Sequence, residues 1–116
     1  MEWRWIETAL GKAQGEVILL RDFNAHHPAW GGTGTACKQG AQHLLDEARR
    51  WELTMLTPQG ETTWKRGPQH SVIDLTFASR GLCERAVFCG PEERWALPQD
   101  HIPVRLTLNI SLVPEA

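Results

Sequence analysis

Residues 17–32 read VILLRDFNAHHPAWGG, an apolar run that gives way to a polar loop containing two histidines and two glycines. The apolar run, residues 17–20, is continuous rather than alternating, which favours a short strand covered on both faces. Ligands of open α/β sheets bind beyond the carboxyl ends of strands, so Asp22 and Asn24 occupy positions where ligand-binding or catalytic residues are expected. The alternative interpretation is that these two residues only make the turn after a strand.

The size and composition of the chain set the class of protein. With 116 residues, the chain is predicted to form a single domain, residues 1–116. The hydrophobic and charged fractions, 41% and 22%, are typical of a globular protein. A net charge of −2 provides no global attraction for nucleic acid, so DNA binding would need a local patch or a bound cation.

The cysteine count and the hydropathy pattern bear on the environment of the protein. Three widely spaced cysteines indicate a reducing compartment rather than a disulfide framework, so an intracellular location is expected. No apolar run approaches membrane-spanning length, and no membrane partner is expected.

The remaining chain alternates helical and strand patterns, which predicts an α/β (α+β) fold. Trp3, Ile6 and Leu10 have helical spacing, and a second helix is predicted over residues 40–51. Strands are predicted at residues 53–56, 71–77, 86–89 and 104–110, and loops at residues 65–70 and 91–99.

Two further acidic residues have an unusual context. Asp74 lies within a predicted apolar strand, where a carboxylate needs a partner, and Asp100 directly precedes His101. If the strands are adjacent, these groups converge with Asn24, supplying carboxylates for a hard cation and an Asp to orient an imidazole. Such a set of residues suits metal-assisted hydrolysis of a phosphate ester. For residues 100–103 alone, the alternative interpretation is a simple turn that leads into a strand.

Three ordered segments resemble the endonuclease/exonuclease/phosphatase superfamily. Residues 21–32, RDFNAHHPAWGG, are similar to its GDFN block, with a continuation most like retrotransposon endonucleases. Residues 71–77, SVIDLTF, resemble its Ser-x-Ile-Asp strand, and residues 99–104, QDHIPV, resemble its Ser-Asp-His block. The resemblance spans residues 17–110 and implies a partial four-layer α/β sandwich of the DNase I-like type, about one sheet with flanking helices.

The resemblance also implies a role for each matching residue. Asp22 and Asn24 would hold and activate the attacking water, while His101 would contact the scissile phosphate as base or charge stabiliser. Asp74 would orient His101, and Asp100 would join Asp22 as a carboxylate on the metal side. The implied cofactor is Mg²⁺ or Mn²⁺, and the implied partner is DNA.

The loop after Asn24 contributes candidates on the substrate side, namely His26, His27 and Trp30. The two histidines have loop packing as their alternative role. Trp30 has the alternative of anchoring the loop instead of stacking on a base.

The resemblance covers only the C-terminal half of the family fold, whose first half supplies an Asn and a metal-binding Glu. Glu2 and Glu7 fall in a helix where a solvated position is expected. Arg21 replaces the Gly of GDFN, and Gln99 replaces the Ser before Asp-His. The isolated chain is therefore expected to be incomplete, with an uncovered sheet face that self-associates or accepts a missing segment.

Three functions are consistent with this pattern. The first is metal-dependent phosphodiester hydrolysis on DNA by a retrotransposon-type endonuclease. The second is a catalytically inactive remnant that acts as a binding or assembly module. The third is a phosphatase acting on small phosphate esters, against which the HHPAWGG loop argues mildly.

Overall fold

The structure, a computed structural model, describes residues 3–111 and has a mixed α/β architecture, as the sequence predicts. Glu2 lies outside the described residues, and Glu7 is a surface residue paired with Arg50 at 3.1 Å. The elements, in chain order, are α1 (Arg4–Lys12), β1 (Ile18–Asp22), α2 (Pro28–Gly31), α3 (Ala41–Arg50), β2 (Thr54–Met55), β3 (Trp64–Arg66), β4 (Gln69–Ser71), β5 (Asp74–Ala78), α4 (Arg80–Cys83), β6 (Ala86–Pro91), a 3₁₀ turn (Glu93–Trp95) and β7 (Val104–Leu108).

The described strands form three antiparallel sheets. The largest has the order β1-β5-β2, and β3-β4 and β6-β7 each form a two-stranded sheet. This arrangement of helices and sheets is compatible with a partial α/β sandwich.

The hydrophobic core joins the two longer helices to the three-stranded sheet. Helix α1 contributes Ile6 and α3 contributes Leu44, both nearly inaccessible to solvent. Phe23 packs edge-on against Phe77 of β5, with ring centroids 6.0 Å apart. Because Phe23 directly follows Asp22, burial of this ring holds the end of β1 in place.

The prediction that residues 17–20 are covered on both faces is wrong. Ile18 is 36% exposed and Leu20 is 61% exposed, whereas Leu19, on the opposite face, packs against the core. Within the described chain β1 pairs with β5 and ends the sheet, so it is an edge strand with one open face. A continuous apolar run does not distinguish two covered faces from one covered and one open face.

Two boundaries around Asp74 also differ from prediction. Residues 65–70 are not a loop but most of the β3-β4 hairpin, which turns at Gly67 with φ +57°. Ser71 belongs to that hairpin, and β5 begins at Asp74 instead of carrying it in its middle. Gly67 and Pro68 favour a loop prediction, and the flanking strands are too short and too polar to give a strand signal.

The C-terminal part forms the β6-β7 pair. Strand β7 covers Val104–Leu108, shorter than predicted, and all five of its side chains are half-buried, with no clear alternation of exposed and buried residues. Residues 93–95 add a short 3₁₀ turn to the loop predicted at 91–99. The longest helix in the described range has ten residues, and none is long and apolar enough to cross a membrane.

Candidate active site

The antiparallel register of β1 and β5 brings two carboxylates together. Asp22 is the last residue of β1, Asp74 is the first residue of β5, and the two are directly paired across the sheet. The site therefore forms where one strand ends and its neighbour begins, not at the carboxyl ends of parallel strands. The side chains of Asp22 and Asp74 are 43% and 20% exposed, so both carboxylates are accessible from solvent.

His101 completes the cluster from a third segment of the chain. Its Nδ1 lies 2.9 Å and 3.1 Å from the two carboxylate oxygens of Asp74, and its Nε2 lies 3.5 Å from Oδ2 of Asp22. A carboxylate only accepts hydrogen bonds, so Nδ1 carries the proton donated to Asp74. This bond fixes the ring orientation and turns Nε2 toward Asp22, as expected for an Asp that orients an imidazole.

Thr63 holds the strands and His101 in this arrangement. It is fully buried, and its hydroxyl accepts hydrogen bonds from the backbone N–H groups of Ile73 and Asp74 at 3.0 Å and 3.1 Å. Its carbonyl accepts the N–H of Ile102 at 2.7 Å. One threonine thus positions the residues next to both Asp74 and His101. The sequence signal is a Thr followed by an aromatic residue, Trp64, shortly before the Asp74 strand.

The environment favours the protonated form of His101. The hydrogen bond with Asp74 raises the pKa of His101, partial burial opposes that rise, and the charges of Asp74, Asp22 and Asp100 reinforce it. An imidazolium beside two carboxylates is stabilised by both. His101 is therefore better suited to stabilise negative charge than a histidine with an ordinary pKa.

Asn24 lies beside Asp22 in an uncommon backbone conformation. Its φ is +46°, a left-handed value that Asn tolerates better than most residues, and its N–H donates to Oδ1 of Asp22 at 2.8 Å. A cavity of about 280 Å³ is lined by Asp22, Asn24, His26 and His101, together with residues of the hairpin. We call this cavity the catalytic cleft. Trp64, Ser71 and Ile73 also line it, although no sequence pattern predicted them as site residues.

The three substrate-side candidates have different positions. His26 lines the catalytic cleft. His27 is the N-cap of α2, where its Nδ1 accepts the N–H of Ala29 at 2.9 Å and its Nε2 lies 2.8 Å from Oε1 of Gln42. Trp30 is 0% exposed and donates its ring N–H to the carbonyl of Ala25, so it anchors the loop and offers no exposed ring face.

Asp100 lies next to the cluster but has a different partner. Its Oδ2 accepts from Nε and Nη2 of Arg66 at 3.0 Å and 2.6 Å, and its carbonyl accepts the N–H of Lys65. Asp100 therefore ties the hairpin to the His101 segment. Its assignment as a metal-side carboxylate stays a prediction.

The two departures from the family pattern occupy defined positions. The guanidinium of Arg21 lies 5.2 Å from the ring of Trp5, and its Nε donates to the carbonyl of Asp22. Gln99 lines an apolar groove of about 280 Å³ on the open face of the sheet, beside Leu20 and His101. The stacking on Trp5 accounts for the placement of the bulky Arg21 beside the site.

The donor set of the cluster fits a divalent cation. Among the described residues, ligand atoms from Asp22, Asp74 and His101 lie within 4.8 Å of one another. Both oxygens of Asp74 face the imidazole, whereas Asp22 has an accessible carboxylate next to Asn24. Carboxylate and amide oxygens are preferred ligands of Mg²⁺ and Mn²⁺, so Asp22 and Asn24 are the residues best suited to hold such an ion.

Comparison with known proteins gives the class. A family model described as endonuclease-reverse transcriptase matches residues 2–105, nearly the whole chain. The chain belongs to this family, which agrees with the resemblance of its three motifs to the endonuclease/exonuclease/phosphatase superfamily of the retrotransposon type. No curated protein and no solved structure matches the chain.

Proposed function

We propose that the chain carries a metal-dependent phosphodiesterase site that acts on DNA, as a retrotransposon-type endonuclease does. The observation that supports this most directly is His101, held by Asp74 on one ring nitrogen and facing Asp22 with the other. A histidine, an orienting carboxylate and a second, accessible carboxylate are the groups that phosphate ester hydrolysis needs.

The pKa of His101 distinguishes between its two candidate roles, proton acceptor and charge stabiliser. Because the Asp74 hydrogen bond raises that pKa, His101 stabilises the negative charge that develops on the phosphate. Asp22 then orients the attacking water and accepts its proton. Asn24, next to Asp22 in the catalytic cleft, helps to position the water.

A divalent cation fits this scheme through Asp22 and Asn24. When bound, Mg²⁺ or Mn²⁺ neutralises phosphate oxygens and lowers the pKa of bound water. Asp100 would contribute on the same side only if its ion pair with Arg66 opened. We propose Mg²⁺ as the cofactor because the accessible donors are oxygens.

DNA as the substrate is supported by the hairpin. Lys65 and Arg66 have side chains 56% and 72% exposed, and they lie on β3, which is bridged to His101 through Trp64. Lys65 is paired with Glu93 at 3.7 Å and Arg66 with Asp100 at 2.6 Å. We propose that DNA phosphates compete with these carboxylates for the two basic side chains, which supply a local attraction that the net charge of −2 does not.

A nicking assay on supercoiled plasmid tests the proposal. We expect the chain to nick DNA with Mg²⁺ or Mn²⁺ and to stop when EDTA is added. Asp22→Asn and His101→Gln should each lower the rate at least about 100-fold, the usual contribution of a proton-transfer or charge-stabilising group.

Matched controls separate catalysis from general damage. Asp46→Asn and His43→Gln change the same residue types on the surface of α3, away from the site, and should nick like the parent chain. Equal rates for all five proteins, or rates unaffected by EDTA, would contradict the proposed site and its metal dependence.

A second candidate function is a binding or assembly module without catalysis. The observation that favours it is the small ligand set: the described cluster has two carboxylates, and one of them is committed to His101. This alternative predicts DNA binding that His101→Gln leaves unchanged, together with no nicking in any divalent metal. Fluorescence anisotropy with labelled duplex DNA distinguishes the two functions.

We also propose that the open face of the three-stranded sheet is covered in the functional form. Leu20 is 61% exposed there and lines the apolar groove that ends at His101. Either a second copy of the chain or a complementary segment would bury it, and the isolated chain would then be incomplete as an enzyme.

A further inference from the structure

Arg21 directly precedes Asp22, and its side chain lies along the free edge of β1. The N–H of Phe23 donates to the carbonyl of Ile73 in the ladder with β5, so the carbonyl of Asp22, one residue earlier, points away from β5. Nε of Arg21 donates to that outward carbonyl at 3.2 Å. The guanidinium is therefore held at the end of β1 where the candidate site lies.

Two aromatic rings support this guanidinium. Phe23 is buried, and the ring of Trp5 in α1 is stacked on it, with centroids 6.5 Å apart and an interplanar angle of 14°. The guanidinium carbon of Arg21 lies over the Trp5 ring, 5.2 Å from its centroid. Because Phe23 holds Trp5 and a cation–π contact joins Trp5 to Arg21, the charged group has a defined position although Arg21 is exposed.

The terminal N–H groups of Arg21 are available for a ligand. A guanidinium has five N–H donors, and within the described part of the chain its contacts are the Nε bond to Asp22 and the stacking on Trp5. By contrast, Lys65 and Arg66 of the hairpin each pair with a carboxylate. A ligand of Arg21 therefore has no ion pair to displace.

Arg21 also places positive charge beside an acidic cluster. It lines the apolar groove together with Asp22, Asp74 and His101. The two carboxylates repel an approaching phosphodiester, and a cation next to them offsets part of that repulsion. The planar fork of a guanidinium matches two oxygens of one phosphate, which favours a phosphate group as the ligand.

We propose that Arg21 binds the DNA phosphate next to the scissile one and that Trp5 is the residue that positions it. This inference rests on the proposed DNA substrate. The guanidinium would stay on the Trp5 ring while its terminal N–H groups form two parallel hydrogen bonds with phosphate oxygens. Such a contact reads no base, so it would strengthen binding to DNA of any sequence and fix the position of the strand relative to Asp22.

The salt dependence of DNA binding tests the contact without any catalytic step. Affinity for a short fluorescein-labelled duplex is measured by anisotropy in EDTA, between roughly 50 and 200 mM salt. Arg21→Gln should weaken binding about tenfold at the lower salt concentration, as expected when a charged hydrogen bond is lost. Because one phosphate fewer is neutralised, the slope of log affinity against log salt concentration should become less negative by about 0.9.

Two further variants separate charge from positioning. Arg21→Lys keeps the charge and loses the planar fork, so it should keep the salt slope of the parent chain and bind DNA more weakly than the parent chain. Trp5→Leu leaves Arg21 charged without its aromatic support. It should weaken binding about threefold, the size of one exposed cation–π contact, with the salt slope unchanged.

Arg80→Gln is the matched control. Arg80 lies in α4, which follows the end of β5 opposite to Asp74, and its side chain is 91% exposed beside Glu84. This variant should match the parent chain in affinity and in salt slope.

Three results would overturn the inference: an unchanged salt slope in Arg21→Gln, an equal change in Arg80→Gln, or parent affinity in Trp5→Leu. None of them depends on nicking. A parent chain that shows the expected Arg21 dependence but does not nick DNA would refute the proposed activity and leave the phosphate contact intact. Nicking by a parent chain whose salt slope is the same in Arg21→Gln would refute the contact alone.

Discussion

At the scale of single residues, the protonation of His101 determines what the site can do. The imidazole lies between Asp74 at 2.9 Å and Asp22 at 3.5 Å, and both carboxylates favour its charged form. The raised pKa of His101 supports its proposed role, stabilisation of negative charge on the phosphate, with Asp22 proposed as the group that accepts the proton from water.

Asp74→Asn tests this assignment. Because the hydrogen bond with Asp74 is the largest cause of the shift, the substitution should lower the pKa of His101 toward its ordinary value of about 6.5. NMR titration of the His101 imidazole in buffer with EDTA measures it. Asp46→Asn should leave the pKa unchanged, and an unaltered value in Asp74→Asn would contradict the role of Asp74.

The same shift determines how stability depends on pH. A histidine whose pKa is raised on folding stabilises the fold fully below its unfolded pKa, and this contribution is lost as pH rises through its folded pKa. The difference in urea midpoint between the parent chain and Asp74→Asn should therefore be largest below the ordinary histidine pKa of about 6.5 and shrink as the pH rises through the raised, folded pKa. A difference that grows with pH would have the wrong sign.

At the scale of elements, Thr63 connects three parts of the site. Its hydroxyl accepts from the start of β5, its N–H donates to the carbonyl of Ser71 in the hairpin, and its carbonyl accepts from the segment after His101. Hydrogen bonds through this one buried residue therefore help to fix the relative position of the three elements.

Thr63→Val should lower the free energy of unfolding by about 2–4 kcal/mol, because it leaves the buried N–H of Ile73 and the partly buried N–H of Asp74 without an acceptor. Urea denaturation followed by tryptophan fluorescence measures the loss. Thr54→Val makes the same change at an exposed strand position and should alter stability by less than about 0.5 kcal/mol. Similar values for the two variants would show that Thr63 has no such role.

At the scale of the whole molecule, the three-stranded sheet has one face against the core and one face open. Leu19 and Phe77 contribute to the buried side, while Ile18 and Leu20 are exposed on the other. The apolar groove beside Leu20 extends this open face to Asp22, Asp74 and His101. Exposed apolar surface favours burial against a partner, so we expect this face to associate.

Leu20→Lys should therefore reduce self-association of the isolated chain. We expect the parent chain to form larger species as its concentration rises, and the lysine variant to remain a monomer over the same range, measured by sedimentation velocity. Leu97→Lys, at a residue of similar exposure outside this sheet, should associate like the parent. A parent chain that stays monomeric at all concentrations would contradict self-association through this face.

Helix periodicity and strand composition were sufficient for most of the fold. The helix predicted over residues 40–51 is observed at Ala41–Arg50, and the first helix also lies where its spacing indicates. The polar hairpin of β3 and β4 was missed because short strands without alternation carry no periodic signal. The double coverage expected for β1 was wrong because an apolar run does not report what packs on each face.

The sequence by itself indicated the class of the protein and predicted the principal residues of the candidate site, because Asp22, Asn24, Asp74 and His101 each lie in an ordered motif. Only the tertiary structure decided how they meet. The antiparallel pairing of β1 with β5 sets Asp22 opposite Asp74, and Thr63 brings the His101 segment to them. Pairing, register and buried hydrogen bonds depend on contacts between distant parts of the chain, and local sequence patterns do not encode those contacts.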